Sequence, residues 1–138
     1  MGHVFITFSV TNLNDHNRVN EGTLDAARLR SQVLADVMMD TGATYLCLPE
    51  ATVRRLGLIF AREVPVQTAA GRRRSRVFQP ALVEYEDRAS FATVMEVPDG
   101  TQPLMGVLVM EELGIEPDLQ NRRVRKLPMD LNGTYISA

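Results

Sequence analysis

Apolar and polar residues alternate along several stretches of this chain, and this period of two is typical of β-strands with one buried face. The alternation occurs in residues 4–10, 33–39, 64–68 and 91–97. In the second of these stretches, residues 24–34 also fit a weak helix, but the alternation that runs into Asp40 favours a strand from at least Ser31. Turn-forming residues at Ala70-Gly71 and at Glu86-Asp87-Arg88 divide the later strands into hairpins. The pattern therefore predicts a mostly β fold.

Two short helices are predicted between the strands. Pro49 opens the first, which ends at Leu56 before a stop at Gly57. The second covers residues 107–113 and is followed by Gly114, a typical C-terminal cap. Residues 12–22 are polar and rich in asparagine, and they predict a loop. Near the end of the chain, Asn132-Gly133 predicts a turn.

Length and charge limit the class of protein. A chain of 138 residues can bury one core, and no linker or repeat divides it, so we expect a single domain over residues 1–138. The formal net charge of −2 argues against the phosphate-neutralising surface that non-specific nucleic-acid binding requires. We therefore expect no nucleic acid among the partners.

Few residues are available for metal or redox chemistry. Cys47 is the only cysteine, so the chain has no internal disulfide, and His3 and His16 do not supply the partners of a zinc cluster. We interpret Cys47 as a small core residue. The N-terminus lacks the pattern of a secretory signal, and no apolar stretch is long enough to cross a bilayer. We expect no contact with membranes and a cytoplasmic location.

The triplet Asp40-Thr41-Gly42 joins two apolar runs, residues 37–39 and 45–48, and so places a carboxylate at a tight turn. Glycine at position 42 allows the backbone to approach that carboxylate closely, and the Thr41 hydroxyl can bond across to a partner chain. Both properties serve catalysis by a rigidly held carboxylate.

With its neighbours, the triplet resembles the retropepsin-like aspartic proteases, which include retroviral enzymes and single-domain bacterial relatives. Four elements in the family's order carry the resemblance: residues 37–44, Leu48-Pro49-Glu50, a hairpin around Ala69-Ala70-Gly71, and Leu104-Met105-Gly106. A leading strand and loop before the triplet favour the bacterial branch.

The resemblance implies both a fold and a site. The fold would be all-β, a closed β-barrel of the acid-protease kind with one or two short helices. Asp40 would be the catalytic residue. The active-site loop would be completed by Thr41, Gly42 and Ala43. A flap over an extended peptide or protein substrate would be formed by Ala69, Ala70 and Gly71. The element at residues 104–106 would back the catalytic loop.

The number of catalytic carboxylates implies a partner chain. Peptide hydrolysis of this type uses two facing carboxylates that share one proton. The chain has a single Asp-Thr-Gly triplet, so the second carboxylate must come from Asp40 of another copy, in a symmetric homodimer. One Asp40 would act as general base on a water molecule, while its protonated twin would polarise the scissile carbonyl. No metal or organic cofactor is required.

Two alternatives concern the same residues. A protein with this fold but without activity would be a dimeric module that binds peptide segments by strand addition. Residues 40–44 also match Asp-x-Gly-x-Thr, which resembles the phosphate-binding turn of actin and the sugar kinases. That superfamily needs two lobes and further phosphate motifs, for which this chain is too short.

Four arginines follow the predicted flap tip: Arg72, Arg73, Arg74 and Arg76. A solvated face of the hairpin is the simpler interpretation of this cluster. The alternative is attraction of acidic substrates or nucleic acid.

Overall fold

Strands dominate the structure, a computed structural model that describes residues 2–129; the turn predicted at Asn132-Gly133 lies outside them. The strands in this range are β1 (Phe5–Thr11), β2 (Ser31–Met39), β3 (Leu46–Pro49), β4 (Phe60–Thr68), β5 (Gly71–Tyr85), β6 (Arg88–Val97), β7 (Leu104–Met105), β8 (Ile115–Asp118) and β9 (Arg123–Lys126). The helices are α1 (Leu13–Asn20), α2 (Glu50–Leu56) and α3 (Val107–Leu113). The mostly β prediction is confirmed, as is the start of β2 at Ser31.

The main sheet has the strand order β1-β2-β7-β3-β6-β5-β4, and β1 pairs with β5 as well. The hydrogen-bonded neighbours therefore lead from β1 through β5 and back to β1, while β4 lies outside this ring as the first strand of the β4–β5 hairpin. The β2–β7 and β3–β6 pairs are parallel, whereas β7 runs antiparallel to β3. The short strand β7 thus lies between the strands that precede and follow residues 40–45.

Alternate residues of the paired strands fill one hydrophobic core, as the period of two predicts. In β3, Leu46 and Leu48 are fully buried in this core, and Cys47 between them faces the other way. The core consists of side chains from the strands, from the residue directly before β1, and from α2 and α3: Val4, Ile6, Phe8, Val10, Leu34, Val37, Met39, Leu46, Leu48, Val53, Leu56, Phe78, Ala81, Val83, Ala92, Val94, Met105, Val109, Met110, Leu113 and Ile115.

Strand β2 departs from the simple alternation that its sequence predicts. Leu34, Val37 and Met39 are buried, whereas Val33 is 69% exposed. The reason is a bulge: the register with β1 shifts opposite residues 35 and 36, and Asp36 has a left-handed φ of 59°. The extra residue moves the second half of β2 onto the core face, so that Met39 enters the core just before Asp40.

Helices α2 and α3 confirm the two predicted helices. Each is followed by a left-handed glycine, with φ of 63° at Gly57 and 65° at Gly114, because glycine adopts this conformation without a steric penalty. None of the helices within residues 2–129 is long and apolar enough to cross a membrane.

The loop predicted for residues 12–22 is wrong, and so is the count of one or two helices, because α1 occupies most of this segment. Asn12 caps the helix: its side-chain oxygen accepts a hydrogen bond of 2.9 Å from the backbone N–H of Asp15. The Asn12 amide nitrogen donates to the carbonyl oxygens of Leu56 and Gly57 at 2.9 and 3.1 Å. The polar residues that predicted a loop are therefore the cap that starts a helix and joins it to the end of α2.

Candidate active site

Asp40 lies immediately after β2, where that strand pairs with β7. Met39 is the partner of Met105 in the parallel ladder, and the backbone N–H of Asp40 donates to the carbonyl oxygen of Met105 at 3.0 Å. The Asp40 carboxylate is half-buried, and its Oδ1 atom accepts a hydrogen bond of 2.8 Å from the N–H of Gly42. A further bond of 3.1 Å joins the N–H of Ala43 to the carbonyl oxygen of Asp40. The carboxylate therefore sits on a tight, internally bonded turn.

The segment after β7 holds this turn from behind. The N–H groups of Gly106, Val107 and Leu108 donate to the carbonyl oxygens of Tyr45, Ala43 and Thr44, at 3.0, 2.8 and 3.3 Å. The first N–H groups of a helix have no partner within it, and in α3 the loop of residues 40–45 accepts those of Val107 and Leu108. The element at residues 104–106 backs this loop, as the resemblance predicts.

Gly106 permits this contact because it has no side chain. A Cβ atom at Gly106 would lie 2.5 Å from the carbonyl carbon of Thr44 and from the carbonyl oxygen of Tyr45. Both neighbours are backbone atoms, which cannot move aside as a flexible side chain can. The requirement for glycine at this position is therefore steric, since the close approach of α3 and the loop leaves no room for a methyl group.

The tip of the loop is open to solvent. Thr41, Gly42 and Thr44 are exposed, and Ala43 is half-buried. Beside Thr41 lies a groove of about 420 Å³ that is lined by α3 and the start of β8, including Val107, Met110 and Ile115. The chain thus brings all four predicted loop residues, Asp40 to Ala43, to a surface where another molecule can reach them.

The predicted flap residues form the tip of the β4–β5 hairpin. Ala69 and Ala70 make the turn, and Thr68 pairs with Gly71 across it. The hydroxyl of Thr68 donates a 2.6 Å hydrogen bond to the carbonyl oxygen of Gly71, whose φ is 113°. Because β5 is the only strand that pairs with β4 among the described residues, the tip extends from the ring on its own strands.

One face of the sheet, which we call the loop-side face, connects the hairpin to Asp40. It contains Cys47, its parallel partner Met95, its antiparallel partner Leu104, and Val77, the partner of Met95. Paired residues on neighbouring strands share a face. Cys47 and Val77 are buried but lie outside the main core. Burial, and after it the negative charge of Asp40, raises the pKa of the Cys47 thiol to about 11.

Cys47 is therefore a buried, protonated thiol, which confirms its interpretation as a small packing residue. Its position near Asp40 was not predicted, because the face on which a residue lies depends on the strand register. The backbone donors at Val107 and Leu108 also escaped prediction, since a backbone N–H leaves no mark in the choice of side chain. Among residues 2–129, no three His, Cys, Asp or Glu side chains are grouped so that they could hold a metal ion.

Comparison with known families identifies the chain. The family model described as aspartyl protease matches residues 26–115, a range that includes the loop of residues 40–45, the hairpin and β7. The chain belongs to this aspartyl protease family, which is part of the retropepsin-like clan. A comparison with curated proteins finds no match.

Proposed function

We propose that this protein is an aspartic endopeptidase whose catalytic dyad consists of Asp40 from each subunit of a homodimer. The observation that carries the proposal is the Asp40 turn: its carboxylate is held by the Gly42 N–H and braced by α3, yet its tip is exposed. Family membership supports peptide-bond hydrolysis, and the single Asp-Thr-Gly triplet in the sequence requires a second copy to supply the other carboxylate.

The chemistry follows from two carboxyl groups that share one proton. Two like charges a few ångströms apart are costly, so one Asp40 stays protonated while the other is ionised. The ionised carboxylate removes a proton from a bound water molecule as the water oxygen attacks the scissile carbonyl carbon. The protonated carboxyl donates its proton to the carbonyl oxygen. Collapse of the tetrahedral intermediate then breaks the C–N bond. The carboxyl that took the proton of the water gives it to the leaving amine, and the other carboxylate takes the hydroxyl proton of the intermediate, so that the dyad again holds one proton.

Binding of the substrate follows from the hairpin. We propose that the ring of paired strands corresponds to the closed barrel of the retropepsin fold, and that the tip at Ala69, Ala70 and Gly71 covers the substrate as a flap. An extended peptide between the flap and the two Asp40 turns satisfies its backbone groups as an added strand does. The Thr41 hydroxyl, which is exposed in the single chain, would bond to its counterpart on the other subunit.

A matched pair of variants tests the catalytic role. Asp40→Asn keeps the shape of the side chain and removes its acid–base function, so it is expected to abolish cleavage of a peptide library. Asp36→Asn, an exposed change four residues earlier at a left-handed position that Asn tolerates, is expected to keep activity. An active-site inhibitor of aspartic proteases should block the wild type.

The outcomes of this experiment are distinct. Equal cleavage by the two variants would exclude Asp40 as the catalytic residue. Peptide binding without cleavage by the wild type would replace the proposal with the dimeric peptide-binding module. The cytoplasmic location stays a prediction from the sequence, and fractionation of the cells that make the protein tests it.

A further inference from the structure

The four arginines after the flap tip lie on two different faces of the β4–β5 hairpin. The register is regular here: Arg72 pairs with Gln67, Arg73 with Val66 and Arg74 with Pro65. Since successive side chains of a strand point to opposite faces, Arg72, Arg74 and Arg76 share one face. Arg73 lies alone among the four on the other face.

The face that carries Arg73 is the loop-side face. Two and four residues after Arg73, Ser75 and Val77 are buried, and Val77 pairs with Met95, which is the partner of Cys47 beside Asp40. No register shift separates Arg73 from Val77 in the pairing with β4. Arg73 therefore continues the loop-side face outward, to a position two residues from the flap glycine, Gly71.

The four arginines also differ in the partners of their guanidinium groups. On the opposite face, which leads to the core residue Phe78, Arg74 lies 4.0 Å from a carboxylate oxygen of Glu63. Arg76 lies 3.8 Å from a carboxylate oxygen of Glu96 and over the rings of Phe60 and Phe78. The guanidinium groups of Arg73 and Arg72 make no ion pair or hydrogen bond with the part of the chain that the structure describes. What distinguishes Arg73 from Arg72 is therefore the face on which it lies. Its cross-strand neighbour is the apolar Val66.

We propose that Arg73 selects substrates that carry an acidic side chain at the position covered by the flap. This inference rests on the proposed peptidase function and names its substrate class. A peptide beneath the flap excludes water from the loop-side face, and a guanidinium left there without a partner is costly. A glutamate or aspartate of the substrate provides the missing partner, because a carboxylate fits the two parallel N–H groups of arginine. The solvated-face interpretation of the cluster then holds for Arg72, Arg74 and Arg76 alone.

Pairs of peptides that differ only in Glu or Gln at one position test the proposal. Scanning this pair through the positions on both sides of the cleaved bond should find one position where Glu raises kcat/KM about tenfold, equivalent to about 1.4 kcal/mol. The preference should weaken as salt is added, because ions screen the attraction. In Arg73→Gln the preference should disappear, while in Arg73→Glu a Lys peptide should be cleaved faster than a Glu peptide at that position.

Arg72→Gln is the matched control, since it removes the same charge one residue away on the opposite face of the hairpin. It should keep the preference for Glu, whereas an equal loss in both variants would mean that net charge acts at a distance, and would overturn the assignment to Arg73. Cleavage without any Glu preference in the wild type would overturn the inference and leave the peptidase intact. Absence of all Asp40-dependent cleavage would instead refute the proposed function, and the inference with it. Circular dichroism establishes that each variant is folded.

Discussion

The Asp40 loop and the flap tip would face the same substrate, but the fold holds them in different ways. The loop of residues 40–45 has the N–H groups of α3 behind it and β7 beside it. Within residues 2–129, the hairpin tip has only its own cross-strand bonds, because β4 has no neighbouring strand there except β5. Two glycines show the contrast: a Cβ atom at Gly106 would meet backbone at 2.5 Å, whereas one at Gly71 would meet nothing within 4 Å.

The contrast separates two requirements of peptide hydrolysis. A dyad works only if its carboxylates are held in a fixed geometry, which close packing against backbone provides. A flap must open to admit an extended peptide, and a hairpin with few contacts beyond its own two strands can open in this way. Substitutions in the two regions should therefore have different effects on stability and on activity.

The largest expected effect is that of Gly106→Ala. The added methyl group must displace the backbone of Thr44 or Tyr45, which should lower the free energy of unfolding by about 3 kcal/mol. Urea denaturation measures the loss. Gly100→Ala is the control, because its Cβ atom would meet nothing within 4 Å and only the left-handed φ of 87° opposes it. We expect about 1 kcal/mol there; equal losses in the two variants would mean that α3 does not brace the loop.

A smaller effect is expected from Asp15→Asn, which tests how β2 is anchored upstream of the loop. The buried Asp15 carboxylate receives Arg30 Nε at 2.8 Å, a second guanidinium nitrogen at 3.0 Å and the Arg30 backbone N–H at 3.0 Å. The Arg30 side chain is half-exposed, so removing the negative charge should cost about 2 kcal/mol of stability at neutral pH.

The pH dependence of the stability lost in Asp15→Asn shows whether Asp15 is ionised in the folded protein. The hydrogen bonds from Arg30 hold the pKa of Asp15 below its ordinary value, although burial opposes them. The stabilisation is therefore complete above the ordinary carboxyl pKa of about 3.9 and is lost as the pH falls through the lower pKa of the folded state. Denaturation of both proteins between neutral and acidic pH should show their difference shrinking below about pH 4. A difference that stays constant would contradict an ionised Asp15.

The smallest expected effect on stability is that of Gly71→Ala. Its φ of 113° disfavours alanine, but the flap tip can rearrange without disturbing the ring, so the loss should stay under about 1 kcal/mol. The kcat/KM for peptides should fall more clearly, because a rearranged tip no longer fits the substrate. A loss of stability as large as that in Gly106→Ala would show that the flap is as firmly held as the loop.

Sequence alone predicted the parts of this structure that depend on local pattern. The strand before Asp40, the β4–β5 hairpin and the two helices that end at glycine follow from alternation, turn residues and caps. The bulge at Asp36 could not be predicted, because it depends on pairing with β1. Helix α1 was missed because an N-cap and a polar loop use the same residues. The β8–β9 hairpin was missed as well. Its charged residues pair across the two strands, as Arg125 does with Glu116, and this pairing becomes visible only once the strands are placed side by side.

The candidate site also has features that the sequence predicts and features that depend on the fold. The sequence predicted Asp40 and the order of the elements around it, because a short motif carries them. It could not assign Arg73 to the loop-side face or separate it from Arg72 and Arg74, because that depends on register. It also could not reveal the donors from α3, which are backbone groups.

The claim that two copies of Asp40 form one site is tested most directly by mixing subunits. Wild-type protein and Asp40→Asn protein are combined in different ratios at constant total concentration, allowed to exchange subunits, and assayed for peptide cleavage. If the dyad spans a homodimer, mixed dimers are inactive, and activity should follow the square of the wild-type fraction, about one quarter at equal parts. Activity that falls in direct proportion, to about one half at equal parts, would show that each chain works alone and would contradict the account.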